Sequence, residues 1–162
     1  MVILDTVPAA GAERRLKTLG FELPLAPIPL GAYVEAVEIG DLLFLSGMLP
    51  VIARTPQFIG RLGAELSVEA GQEAARIACL NALSAAKVHL GTLDKVAGVA
   101  KLGVYIATAG DFRDHPRVAD GASEILVKAF GTGMLSPRIV LGVASLPLGM
   151  PVEIEIVLQV GD

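Results

Sequence analysis

Tryptophan is absent from the 162 residues, five phenylalanines and two tyrosines supply all the aromatic rings, and there are only one cysteine and two histidines. Each shortage closes a route. One thiol, Cys79, rules out a disulfide framework, and its place in an Ala/Leu helical run makes it a poor nucleophile. His89 and His115 are the only imidazoles and share no ligand spacing with Cys79, so no metal centre and no cofactor is expected. His89, near a helix end, reads as a dipole partner, and His115, beside Pro116, reads as solvated. No G-x-S-x-G elbow is present. The stretch "GTGMLS" from Gly131 follows a helix and precedes a strand, the reverse of what pyrophosphate binding requires, so it reads as a turn. A formal charge of −4 argues against the broad basic footprint of a nucleic-acid binder. No run of about 18 apolar residues and no basic leader before an apolar core is found. The expectation is a soluble cytoplasmic protein with no membrane partner.

What is abundant is small and aliphatic: 53% of the residues are hydrophobic and 4% aromatic. A core of Ala, Val, Leu and Ile favours close helix-on-sheet packing. The length suits one domain, 1–162, with a short helix and extended connector over 1–28 and the core over 29–162. Residues 9–19 predict a helix stopped by Gly20, and "FELPLAPIPL" predicts an extended connector. "AYVEAVEIGDLLFLSG" predicts two strands turning at Gly40-Asp41. Residues 51–66 read as a long surface loop. From the Ser67 cap to His89, Ala70, Ala74, Ile77, Ala78, Ala85 and Val88 form a helical stripe ending at Gly91. "KVAGVAKLGVYIA" predicts a central strand with both faces covered. The stretch from Asp111 to Gly131 predicts a helix with Pro116 in its first turn. Residues 137–157 predict a closing pair of strands around "LPLGM".

The order is therefore β-β-α-β-α-β-β after a short N-terminal helix, an α+β fold with two helices on one face of a mixed sheet. Two helices cover only one face, while the strands offer apolar residues to both. A second copy of the chain is the economical cover. In the last strand Val152, Ile154, Ile156, Leu158 and Val160 take one face, leaving Glu153, Glu155, Val157 and Gln159 on the other. Arg138 shares a face with Val140, Gly142 and Ala144, all small, which leaves room for an anion at its fork. Glu153 or Glu155 could orient that arginine or handle a water. A cross-strand Arg–Glu pair without function is the competing interpretation.

"GAYVEAVEIGDLLFLSGMLP", "AARIACLNALSAA", "VYIATAGDF" and "SPRIVLGVASLPLGMPVEIE" resemble, in order, the signature blocks of the Rid family. These are the reactive intermediate deaminases, also called YjgF-like and labelled endoribonuclease L-PSP. The resemblance runs from about residue 29 to the C-terminus and points to a longer branch. It implies a chorismate-mutase-like α+β subunit in a homotrimer, with clefts between subunits. It also implies that Arg138 grips the carboxylate of a 2-imino or 2-enamino acid and that Glu153 helps a water attack the C=N carbon, giving a 2-keto acid and ammonia. Tyr33, Ser46 and Gly47 match the residues that line the same cleft. Departures are Met48 for a common glutamine, Val140 for a cysteine, Ser136-Pro137 for Pro-Ala, and Asp120 for an asparagine. A carboxylate at Asp120 would repel an anionic substrate unless it faces away.

Three functions follow as alternatives: hydrolysis of small reactive imines or enamines bearing a carboxylate, non-catalytic binding of a small carboxylate metabolite by a trimer, and endoribonuclease activity. The acidic balance and the lack of a stacking surface count against the last.

Overall fold

Strict alternation over residues 152–160 sets the frame of the molecule. In the computed structural model, which describes residues 11–161, β7 (Val152–Val160) buries Val152, Ile154, Ile156 and Leu158 and turns Glu153, Glu155, Val157 and Gln159 the other way. A period of two on a pleated strand leaves no other outcome. Around β7 a five-stranded sheet forms in the order β1-β2-β7-β5-β6, with β1 (Ala36–Ile39), β2 (Leu42–Leu45), β5 (Val96–Ala107) and β6 (Arg138–Val143). All neighbours are antiparallel except β5 and β6, which run parallel.

The closing strands are therefore not a hairpin. β5 lies between β6 and β7, pairing Tyr105 with Glu153 on one side and with Leu141 on the other. The turn-like "LPLGM" is a short 3-10 crossing, Pro147–Gly149, between strands that share a neighbour. The expected long loop also contains structure: β3 (Val51–Ile52) and β4 (Thr55–Pro56) form a separate small hairpin. Its two-residue turn, Ala53-Arg54, has φ of 49° and 66°. Such turns normally advertise themselves as Asn-Gly or Asp-Gly, and Ala-Arg gives no such notice.

Helices α2 (Val68–Leu90) and α3 (His115–Phe130) cover one face of the sheet, and α1 (Ala12–Thr18) packs on α3 and beside Leu93–Lys95. Positions 9 and 10 of the expected first helix lie outside the described residues. The Ser67 hydroxyl accepts from Ala70 N–H at 3.2 Å, as an N-cap should, and Gly91 ends α2 with φ 85°. The buried stripe of α2 is broader than its periodicity suggests and includes Ala75, Cys79, Ala82, Leu83 and Ala86, while Val88 is 74% exposed. Two buried polar residues of α2 act as anchors. Asn81 donates to the Leu49 and Val51 carbonyls at 2.9 and 2.8 Å, and the Ser84 hydroxyl donates to Pro24 O at 2.8 Å. They tie the β3 region and the connector to the helix layer.

The opposite face of the sheet is uncovered, with Phe44, Val37, Ile39, Ile139 and Leu141 exposed. β5 has neighbours on both edges but a cover on one face only; Ala97, Ala100 and Lys101 are exposed. His89 meets Glu38 at 3.3 Å. His115 is half-buried rather than solvated, with its ring edge-on to Phe112 at 5.0 Å. Cys79 is fully buried, and burial pushes its thiol far above the usual range.

Close helix packing rests on Gly121. A Cβ there would stand 2.2 Å from Gln72 O of α2, backbone against backbone. Gly121→Ala should lower the unfolding free energy by about 3 kcal/mol, measured by urea denaturation.

Candidate active site

The alternation that buries β7 also separates the two leading candidates. Register places Arg138 opposite Leu102, Val140 opposite Val104 and Gly142 opposite Ile106. Those three β5 residues are buried beneath the helices, so Arg138 and Val140 rise on the helix side of the sheet. Glu153 and Glu155 stand on the open side. Within one protomer the arginine and the glutamates do not meet.

Arg138 is held by α3. Its Nη1 donates to Asp120 Oδ1 at 2.8 Å and to Ser123 Oγ at 3.0 Å, and Nη2 reaches Pro116 O at 3.5 Å. The pair is partly exposed, the two side chains retaining 28% and 49% of their surface. Asp120 thus faces the guanidinium. Ser123 was not among the sequence candidates; only the turn of α3 beneath β6 identifies it. Val140 is half-buried against the core.

Glu153 lies in different surroundings. Antiparallel pairing of β2 with β7 runs from Leu42↔Gln159 to Phe44↔Val157 and resumes at Met48↔Ile154, one residue out of step. Met48 N–H donates to Ile154 O at 2.7 Å, and Ile154 N–H donates back at 2.9 Å. The bulge between carries Ser46-Gly47 and lays Gly47 directly over Glu153: a Cβ on Gly47 would meet Oε1 at 2.2 Å. Glu153 is half-buried, accepts no hydrogen bond among the described residues, and has its carboxyl pushed upward by burial. Glu155 is the contrast. Lys101 Nζ at 2.7 Å and the Tyr105 hydroxyl at 3.1 Å both donate to its Oε1, and the lysine holds that carboxyl below its usual range. Glu155 belongs to a polar cluster on the open face and does not orient Arg138.

Gly47 and Met48 also form part of the wall of a cleft of about 750 Å³ that runs beneath the connector and includes Tyr33, Glu35, Arg54 and Asn81. Tyr33 Oη accepts from Leu30 N–H at 3.0 Å. The Ser46 hydroxyl is spent on Val34 O at 2.6 Å, and its N–H on Glu35 O at 2.9 Å, so Ser46 clamps the segment entering β1. Glu35 reads from the sequence as polar strand surface. In the fold it precedes β1 and enters the cleft wall, where burial raises its carboxyl. Nothing in the order of residues flags that position, because it depends on the left-handed turn at Ala53-Arg54 and on the anchored connector. Among the described residues no group of three or more His, Cys, Asp or Glu could hold a metal ion. No helix among them is long and apolar enough to cross a membrane.

The family model described as "YjgF/chorismate mutase-like, putative endoribonuclease" matches residues 13–157. The chain belongs to the YjgF family. Protein TCP17 of Trypanosoma cruzi is 35% identical to it over 98% of this chain and 100% of that one. A 2-iminobutanoate/2-iminopropanoate deaminase of Dermatophagoides farinae is 30% identical over 82% of this chain and 88% of the relative. The crystal structure of Atu1372 from Agrobacterium tumefaciens superposes with a TM-score of 0.86 at 34% identity, covering 92% of each chain. The α+β subunit that the sequence blocks imply is thus the fold of this YjgF-family chain, and the order β1-β2-β7-β5-β6 is how its blocks come together.

Burial of Glu153, unpartnered among the described residues, has a cost in stability. Its folded-state pKa lies above the unfolded value, so between the two the folded chain holds more protons, and stability falls as pH rises through that window. Glu153→Gln should therefore be more stable than wild type at pH 7. Thermal melts should show the advantage disappearing as pH is lowered below the unfolded-state value of about 4.3.

Proposed function

We propose that this YjgF-family protein hydrolyses small reactive imines and enamines, the 2-imino and 2-enamino acids among them, to the carbonyl compound and ammonia. Glu153 is the observation that carries the reading. A half-buried carboxylate without a hydrogen-bond partner is costly to keep, and its raised pKa brings it closer to the range of a useful base at neutral pH. The glycine at 47 is what lets the carboxylate sit there, since a Cβ would stand 2.2 Å from its Oε1.

The chemistry asks little of the site. Glu153 accepts a proton from a water as its oxygen adds to the C=N carbon. That proton is passed to the nitrogen to give the neutral carbinolamine, and the carboxylate then moves the hydroxyl proton to the same nitrogen as the C–N bond breaks, releasing ammonia as the carbonyl forms. Water supplies the oxygen and both hydrogens, so no metal, redox partner or cofactor enters the balance. Orientation supplies the rest. The deaminase name of the Dermatophagoides relative supports this class.

Arg138 is the substrate-anchoring residue in this proposal, and a homotrimer is the assembly that would bring it together with Glu153. In such an assembly the open face of one protomer would be covered by another, bringing the β6 edge of one chain toward a neighbouring Glu153. The exposed apolar residues of that face support an assembly of this kind. A second reading, a binding protein without turnover, draws on the Arg138–Asp120 pair, which gives the arginine a structural partner within its own chain.

A direct assay separates them. 2-Iminobutanoate generated in situ by an amino-acid oxidase should decay faster with wild type than without it. Glu153→Gln should reduce that acceleration by about a hundredfold or more while retaining affinity for 2-oxobutanoate. Equal decay with wild type, variant and buffer would leave only the binding protein.

A further inference from the structure

We propose that Asp120 is a resident competitor for the Arg138 guanidinium, so that the site discriminates against carboxylate-bearing ligands and favours uncharged imines and enamines. This deepens the proposed function and rests on its placing of Arg138 at the substrate.

The geometry is that of an occupied anion site. Asp120 Oδ1 lies 2.8 Å from Nη1, and Ser123 Oγ contacts the same nitrogen at 3.0 Å. Residues three apart share one face of a helix, so α3 presents both groups to Arg138 at once. Pro116 O, one turn earlier, faces Nη2 at 3.5 Å. Nε makes no hydrogen bond among the described residues. One carboxylate already cancels the one positive charge.

Asp120 is also placed where it cannot be withdrawn by a movement of its helix. Gly121, the next residue, lies against Gln72 O so closely that a methyl group would stand 2.2 Å from it, and Gln72 Nε2 donates to Arg117 O at 2.8 Å. α3 is fixed to α2 on both sides of the pair. An incoming carboxylate must then displace Asp120 by side-chain rotation alone or share the guanidinium with it. Sharing puts two like charges within a few ångströms of each other. A neutral carbonyl or imine meets neither obstacle, because it needs one N–H donor, and Nε and Nη2 provide them.

A merely structural Asp120–Arg138 clasp would alter affinity for all ligands together, whereas a competitor alters it by ligand charge. The test uses the full chain with two probes of nearly equal shape, 2-oxobutanoate and 2-oxobutanamide, titrated by calorimetry or NMR. Variants are Asp120→Asn, Asp120→Ala, Arg138→Ala and the double variant Asp120→Asn/Arg138→Ala, with thermal melts confirming the fold of each. Wild type should bind 2-oxobutanamide at least threefold more tightly than 2-oxobutanoate. Asp120→Asn should tighten 2-oxobutanoate at least tenfold and leave 2-oxobutanamide within twofold. Asp120→Ala, which removes the charge without adding an amide, should do the same, and the double variant should lose the gain. The proposal is overturned if both probes shift by the same factor, if neither shifts, if no variant binds either probe, or if wild type binds the anion as tightly as the amide or more tightly. Turnover plays no part in these titrations. Loss of the hydrolase reading through an inactive wild type or an unaffected Glu153→Gln would therefore leave the charge preference standing, and the reverse also holds.

Discussion

Everything at the site follows from the period of two on β7. Four aliphatic residues of that strand must face the helices if the core is to close, and the glutamates between them are then forced onto the uncovered side. β5 transmits the same parity to β6. Arg138, paired in register with buried Leu102, is committed to the helix side for the same reason. The carboxylate and the guanidinium are thus assigned to opposite faces by packing before any function is considered.

This separation explains why Glu153 and Glu155, two residues apart on one strand, have opposite characters. Both escape the core, but Glu155 lies opposite Gly103 within reach of Lys101 and Tyr105, which neutralise and solvate it. Glu153 lies opposite Tyr105 under the Ser46-Gly47 bulge, where the close backbone half-buries it and, among the described residues, offers no donor in exchange. Small differences in register decide which carboxylate is a structural ion pair and which is kept poised.

Much of this was legible in the sequence, and the remainder was not for definite reasons. Alternation in 152–160, the Ser67 cap, the glycine stops at Gly91 and Gly131 and the proline at the head of α3 are local signals, and each corresponds to what the chain does. Strand order is not local. A parallel β6 placed beyond β5 looks, in one dimension, like the first arm of a hairpin with β7, because both strands follow turn residues and both are apolar. The partners of Arg138 were hidden for the same reason: Asp120 and Ser123 come under β6 only when α3 crosses the sheet. The Ala53-Arg54 turn was hidden differently, since its left-handed backbone is imposed by tertiary context and not by residues that favour it.

Ser84 has a consequence for the shape of the cleft. It lies in the interior of α2, and among the described residues its hydroxyl is satisfied by Pro24 O alone, at 2.8 Å. Raising the connector would strand a hydroxyl in an apolar interior at about 1–3 kcal/mol, before counting the contacts of Phe21 and Leu23 with the core. The Pro24 end of the connector is therefore held in place whether or not anything lies in the cleft. Widening the cleft at Pro24 would break that hydrogen bond first, while Leu25, Ile28 and Leu30 farther along the connector face solvent.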